Sequence, residues 1–174
     1  ASLLLRTCLG FPRVVHLLRS IPPSMLGSFP QEVDALVMGT AARILQTPLE
    51  SAQMHQAALP IRKGGLGLLS SVDAALPAFI SSSLSFLDTP EEVIGTPHAQ
   101  PAELVPALRE YLSVNPSNLA TPLFLHDWVE SGTVQIPLLR PAHILTQRWW
   151  MEPVIDRRFH SLLDSVGPRM QALL

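Results

Sequence analysis

The positions of the prolines constrain the fold of this chain more than any other feature of its sequence. The chain has 17 prolines in 174 residues, about twice the usual frequency, which by itself is typical of disorder. Several of them, however, stand in the first turn after a hydroxyl residue, with Glu or Gln at the capping-box position, as in 28–31, 47–50 and 89–92. A proline loses no hydrogen bond there, because its missing amide would have no partner. These prolines, together with Thr121-Pro122 and Arg140-Pro141, predict helix starts.

Apolar residues between these starts recur at helical spacing. We predict one stripe formed by Val33, Leu36, Val37, Ala41, Ile44 and Leu45. Residues 71–87 form an apolar segment whose small residues allow close helix packing. Residues 101–113 are predicted to form an amphipathic helix, and residues 151–166 to form the last helix. The only strand candidate is 132–139, which Pro137 weakens. The predicted class is all-α.

The length suits one domain or two small helical lobes with a buried core. We predict an irregular helical bundle: a lobe over 1–58, a glycine-rich joint over 59–69 and a connector lobe over 70–174. Charged residues are only 15% of the chain, against roughly 25% in soluble domains. Some apolar surface is therefore expected to face neighbours outside this chain, and we expect a segment of a longer protein.

Charge is distributed unevenly along the chain. Residues 1–63 carry six basic groups against three acidic ones, and residues 140–174 carry five against three. Residues 64–139 carry only Arg109 against eight acids. A polyanionic partner is expected to meet the ends rather than the middle.

The single cysteine and the apolar segment over 74–87 bear on the cellular location of the protein. Cys8 is the only cysteine, which excludes an internal disulfide, and its apolar neighbours predict an inert, buried thiol. Residues 74–87 are too short and serine-rich to cross a bilayer. No membrane association is expected, and an intracellular location, nucleus or cytoplasm, is the default.

The sequence contains no His-Glu-x-x-His, no Walker GK[ST], no Gly-x-Ser-x-Gly and no paired-cysteine motif. Asp156 and His160 lie one turn apart, which predicts an ordinary surface contact more readily than an acid–base pair. Arg148-Trp149-Trp150 could stack on bases, but packing in a core is favoured because exposed tryptophan is costly. The six histidines are scattered, so no metal site is predicted.

The stretch LPIRKGGLGLLS, residues 59–70, interrupts the helical pattern with three glycines next to Arg62 and Lys63. One interpretation is a phosphate cradle, in which Gly64 and Gly65 turn amide hydrogens toward an anion. The other is an interhelical turn that needs a positive φ. Because GGLG follows no predicted strand and lacks a GK[ST] motif, the turn is favoured, and the cradle stays open.

Two long motifs carry a resemblance to a known family. LLLRTCLGFPRVVHLLRSIPPS and AALPIRKGGLGLLSSVDAALPAFISSSL resemble the region that follows the polymerase palm in non-LTR (LINE-like) retrotransposon reverse transcriptases. The matching positions are Pro12, Arg13, Leu17, Leu18, Arg19, Pro22, Pro23, Pro60, Gly64, Gly65, Leu66, Gly67, Leu68 and Ser70. TQRWWMEPVIDRRFHSLL is loosely similar to a later segment of that family. Leu69 departs from the family, which commonly has Arg there, and residues 88–140 match nothing.

The resemblance implies a non-catalytic thumb and connector of an RNA-directed DNA polymerase. Its partners would be an RNA template, a DNA primer and the remaining polymerase domains of the same polypeptide. No cofactor is expected in this segment, because magnesium belongs to the palm, whose double-aspartate motif this chain lacks.

A thumb grips the duplex through its backbone, which requires basic side chains on helices. The expected nucleic-acid contacts are Arg13, His16, Arg19, Arg62, Lys63, Gly64 and Gly65. Arg13 and His16, three residues apart, share a helix face, whereas Arg13 and Arg19 do not. These charges could also be solvated surface groups. The alternative function is a helical interaction or scaffold module that docks to a protein and binds no nucleic acid.

Overall fold

The fold is helical, as the proline and apolar patterns predict. A computed structural model describes residues 2–90, 95, 99–115, 123–134 and 145–166. Within these ranges the regular secondary structure is helical and contains no strand. The all-α prediction is therefore confirmed. Most of the strand candidate 132–139, and the helix starts expected after Thr89, Thr121 and Arg140, lie outside the described residues.

The α-helices of the described residues are numbered in chain order. Their bounds are α1, Ser2–Leu4, which continues as a π-helical turn, Leu5–Leu9; α2, Phe11–Ser20; α3, Phe29–Leu45; α4, Ser51–Ala58; α5, Ser71–Leu87; α6, Leu104–Val114; α7, Leu123–Ser131; and α8, Gln147–Ser165. Single 3₁₀ turns occupy Pro23–Met25 and Ile61–Lys63.

The predicted helix starts are correct in part. Pro30 lies in the first turn of α3 behind the N-cap residue Ser28, whose hydroxyl donates to the Glu32 carboxylate at 2.6 Å. The capping box expected at Thr47 forms three residues later. Its N-cap is Glu50, whose amide donates to the Gln53 side chain at 2.9 Å. Reciprocal side-chain bonding of this kind decides the start better than proline does.

Two prolines lie inside helices, Pro77 in α5 and Pro153 in α8. At such positions a proline removes one backbone hydrogen bond and bends the helix. Burial of Pro77 in the core compensates for that loss by hydrophobic contact. Proline alone therefore does not mark every helix start in this chain.

Helix α5 is the centre of the fold and contacts α2, α3, α6 and α8. Ala74, Ala75 and Ala78 are buried and let neighbouring backbones approach closely. They belong to a central cluster that also contains Leu18, Leu26, Leu59, Met151, Ile155 and Leu162. The division at 59–69 stays a prediction; the structure shows that residues on both sides of the joint contribute to this cluster.

The second half of α5 packs into a C-terminal cluster formed with α6, α7 and α8. Its buried members are Phe79, Ile80, Leu84, Leu104, Ala107, Leu108, Tyr111, Leu125, Trp128, Trp150 and Val154. The amphipathic pattern predicted over 101–113 is confirmed, because α6 buries Leu104, Ala107 and Leu108. One helix thus connects the two clusters, and it fixes the positions of α2 and α8.

The apolar stripe predicted on α3 is too wide. Val37 and Ala41 are buried in an N-terminal cluster, but Leu36 is 72% exposed. Ile44 and Leu45 are 37% and 47% exposed. The reason is that α5 and the π-helical turn cover only one narrow side of α3. Ile44 and Leu45 line an open groove opposite Leu3 and Leu66, which leaves them partly exposed.

Candidate nucleic-acid interface

The glycine joint is a turn that folds back on the end of α4. Its 3₁₀ turn ends at Gly64, whose φ is +76°, and Gly67 has a φ of +72°. Residues with a Cβ are strained in that region, so glycine is favoured at both positions. The interhelical turn with positive φ that the sequence favours is confirmed.

The joint's amide hydrogens are bonded to backbone carbonyls of the joint and of α4. Gly64 donates to Ile61 O at 3.0 Å and Gly65 to Pro60 O at 3.2 Å. Gly67 donates to Leu59 O at 2.8 Å, while Leu66 and Leu68 both donate to Ala57 O. The bonds to Ala57 O and Leu59 O satisfy carbonyls at the end of α4. In this conformation the amides do not form a phosphate cradle.

Gly65 is required for a different reason than its neighbours. Its φ is not positive, but a Cβ at this position would lie 2.0 Å from Leu59 O and 2.5 Å from Gln56 O. Two backbone carbonyls of the preceding helix therefore exclude any side chain. Close backbone approach, rather than left-handed geometry, fixes the residue type here.

Arg62 is held by an acid of α8. Its Nη2 donates to Glu152 Oε1 at 2.7 Å and to Oε2 at 2.6 Å. Both side chains are partly exposed, at 49% and 34%. The hydrogen bonds to Glu152 raise the pKa of the Arg62 guanidinium above its ordinary value. Arg148 lies 3.8 Å from the same carboxylate.

Lys63 is held one helical turn further along α8. Its Nζ lies 3.1 Å from Asp156 Oδ1 and 4.7 Å from the centroid of the Phe159 ring. The ring face attracts the ammonium electrostatically. Arg62 and Lys63 are thus brought together against α8, as partners of acids of the same chain.

These acidic partners could not be identified from the sequence. Glu152 and Asp156 lie four residues apart, which is the spacing that places two groups on one helix face. That spacing is the only signal, and it does not say which basic residues the face meets.

The start of α5 is anchored on two sides. Asp34 of α3 accepts hydrogen bonds from Ser70 Oγ at 2.5 Å and from the Ser71 amide at 2.6 Å. On the other side, Asp73 pairs with Arg158 of α8 at 2.5 Å, with about a fifth of each side chain exposed (18% and 21%). The joint therefore runs between α3 and α8 and is fixed to both.

The predicted contacts on α2 lie in a different setting. Arg13, His16 and Arg19 are exposed, while Leu18 of the same helix is fully buried against α5. Within the described residues, neither arginine forms an ion pair or side-chain hydrogen bond. Among the described residues, Arg13 and Arg19 also make no hydrogen bond to Arg62 or Lys63. The α2 group remains available for an anionic ligand.

The prediction for Cys8 is wrong. The thiol is exposed, and its Sγ lies 3.4 Å from the hydroxyl of Thr7. The reason is that the π-helical turn contacts the core through Leu5, which is buried, while Leu9 is 54% exposed. Apolar neighbours in sequence did not imply a covered face.

The other candidate groups are structural. His160 Nδ1 lies 2.7 Å from the backbone oxygen of Asp156, so no acid–base pair of side chains forms.

Trp150 is fully buried, with its ring centroid 5.0 Å from that of Tyr111, and Trp149 packs at the edge of the C-terminal cluster. The packing predicted for the tryptophans is confirmed. Burial raises the pKa of Tyr111, whose hydroxyl donates to Trp150 O at 2.8 Å.

Two further surveys of the chain are negative. The described residues contain no group of three or more His, Cys, Asp or Glu that could hold a metal ion, and none of their helices is long and apolar enough to span a membrane. Comparison of the chain with protein-family models, curated proteins and solved structures found no match.

Proposed function

We propose that this chain is a helical thumb and connector segment of a retroelement RNA-directed DNA polymerase. It would help to hold the template–primer duplex and would carry out no chemistry itself. The observation that carries the proposal is the exposed basic group on α2, formed by Arg13, His16 and Arg19. The sequence supports the proposal through the two motifs, within residues 3–24 and 57–84, that resemble the region after the polymerase palm. Such a segment would act inside the cell, in the nucleus or the cytoplasm, and any magnesium would bind in the palm.

The α2 group suits a nucleic-acid backbone for two physical reasons. Leu18 fixes the helix against α5, so the charged side chains project from a rigid element. Contacts to phosphates position a protein on a duplex without reading its sequence, and they need only correctly placed cations. An RNA–DNA duplex copied from any template offers the same backbone, which is what a polymerase requires.

Duplex affinity measured across a salt series tests the proposal. Each phosphate contact contributes close to one unit to the slope of log affinity against log salt concentration. Arg13 and Arg19 lie on different faces of α2 and would have to meet different phosphates. Replacing both with Ala should therefore lower the slope by up to about two units, equally for unrelated duplex sequences. The matched control is Arg109→Ala, which removes an exposed arginine from the acidic part of the chain. An unchanged slope in the double variant would refute the assignment of α2.

A second function, docking to a protein, is favoured by an apolar groove of about 360 Å³ between α1, α3 and the joint. Its lining includes Leu3, Leu5, Ala41, Ile44, Leu45 and Leu66. In this function the groove would bind another protein, and the chain would bind no nucleic acid. Ile44→Glu should then abolish the association with that protein, and the native chain should show no affinity for an RNA–DNA duplex. Duplex affinity that depends on Arg13 and Arg19 would favour the first function.

A further inference from the structure

We propose that Glu152 and Asp156 are internal substitutes for phosphates, which mask Arg62 and Lys63 until a nucleic-acid backbone displaces them. This inference rests on the function proposed above and concerns the regulation of its basic joint. The free chain would present the α2 group first, and the joint would engage second. The masking contact is therefore autoinhibitory.

The geometry of α8 suits this role. The two carboxylates lie four residues apart, which corresponds to about 6 Å along a helix axis. That spacing places both carboxylates on the side of α8 that faces the joint, one opposite Arg62 and the other opposite Lys63. Arg62 binds Glu152 through two hydrogen bonds, and Lys63 binds Asp156 at 3.1 Å. Each basic residue of the pair already holds one anionic group.

The contacts are weak enough to be exchanged. All four side chains are between 28% and 49% exposed, and ion pairs at such surfaces are screened by salt. A polyanion gains entropy from released counterions, which an internal carboxylate does not provide. The advantage of the internal carboxylates is their high effective concentration. A duplex that is already bound at α2 would have the same advantage.

Two neighbours prepare the joint for exchange. Phe159 lies beneath Lys63, with its ring centroid 4.7 Å from Nζ, and would hold the ammonium in place without Asp156. Arg148 lies 3.8 Å from Glu152 with 84% of its side chain exposed. Displacement of Glu152 would therefore release Arg148 together with Arg62. The opened face of the joint would carry three cations.

The competing explanation is that these ion pairs only fasten the joint to α8. Fastening predicts a loss of stability, with no effect on ligand binding, when the acids are neutralised. Masking predicts a gain in duplex affinity that depends on Arg62 and Lys63. The two explanations therefore differ in the sign and the origin of the effect on binding.

The test neutralises the acids and measures RNA–DNA duplex affinity across a salt series. Glu152→Gln with Asp156→Asn should raise affinity about tenfold at 0.15 M salt and steepen the salt slope by up to about two units. The gain should disappear when Arg62 and Lys63 are also replaced with Ala. If it persists in that background, masking is refuted.

A control separates masking from net charge. Glu110→Gln with Asp127→Asn neutralises two exposed acids elsewhere and changes the net charge of the chain by the same amount. An equal gain in this control would mean that overall charge, and not the joint, sets affinity. If the double variant at α8 does not fold, the single variants Glu152→Gln and Asp156→Asn should each give about half the slope change.

A second readout follows the joint directly. Lys63 is the only lysine of the chain, so methylation with isotope-labelled formaldehyde gives one side-chain signal besides that of the terminal amine. Addition of duplex to the native chain should shift this signal, because Nζ would exchange the Asp156 carboxylate for a phosphate. Duplex binding without such a shift would refute masking and leave the proposed function intact. Absence of duplex binding by both the native chain and the α8 variant would refute both.

Discussion

Asp34 accepts a hydrogen bond from the backbone amide of Ser71 at 2.6 Å, across 37 residues of sequence. The other oxygen of the same carboxylate accepts from Ser70 Oγ at 2.5 Å. Because α5 begins at Ser71, Asp34 provides an acceptor and a negative charge where the free amides and the positive end of the helix dipole meet. A side chain of α3 thus fixes the start of the central helix.

Replacing Asp34 with Ala should lower the free energy of unfolding by about 2 kcal/mol, because it removes a cap and leaves partly buried donors unpaired. Asp34→Asn keeps one oxygen acceptor and should cost less. Urea denaturation followed by circular dichroism gives both values. Gln31→Ala, an exposed change in the same helix, is the control and should stay within about 0.5 kcal/mol. If Asp34→Ala changed the free energy of unfolding as little as Gln31→Ala does, the cap would contribute nothing measurable to stability.

Gly65→Ala should destabilise the fold by about 3 kcal/mol or more, because the new Cβ would overlap two backbone oxygens that cannot move aside cheaply. The nearer of these, Leu59 O, would lie 2.0 Å away. Gly39→Ala in α3 is the matched control, since a Cβ there meets nothing within 4 Å. It should stabilise the protein by about 0.5–1 kcal/mol through helix propensity. Thermal melts of the two variants should move in opposite directions.

The helices could be predicted from the sequence because their signals are local. The segment over 71–87 is a helix with those bounds, and the one predicted over 101–113 is observed as Leu104–Val114. Apolar period and small residues act within a few turns of chain. The turn over 59–69 also followed from local composition, since consecutive glycines near a basic pair favour positive φ.

The partners of the joint could not be predicted, because they are set by tertiary packing. Nothing near Arg62 in sequence indicates that it meets Glu152, 90 residues later. The same limit explains Leu36 and Cys8, whose exposure depends on which helix faces are covered. Periodicity identifies an apolar side of a helix, but only the packed structure shows what covers it.

Cys8 should react with a thiol reagent in the native protein at nearly the rate seen after denaturation. Its side chain is exposed, so the reagent needs no unfolding step to reach it. Since Cys8 is the only cysteine, absorbance of the released reagent group reports this one site. Slow native labelling that becomes fast in denaturant would contradict the exposed position of the π-helical turn.

Stability should fall as the pH rises above about 10, the ordinary pKa of tyrosine. Burial raises the pKa of Tyr111 in the folded protein, so the folded state keeps a proton that the unfolded state has lost. The unfolded state then binds fewer protons, and the free energy of unfolding declines by up to about 1.4 kcal/mol per pH unit. Below that pH both states are protonated, and the contribution of Tyr111 is fully present.

Tyr111→Phe isolates this effect, because other groups that titrate in alkali contribute equally to both proteins. The variant should lose about 1 kcal/mol at neutral pH, since the hydrogen bond to Trp150 O is removed. Above about pH 10 its stability should decline less steeply than that of the native protein, so the two curves converge. Tyr111 is the only tyrosine, and the tyrosinate absorption band therefore follows its ionisation directly. If that band develops in the folded protein near the ordinary tyrosine pKa, the burial of Tyr111 between α6 and α8 is contradicted.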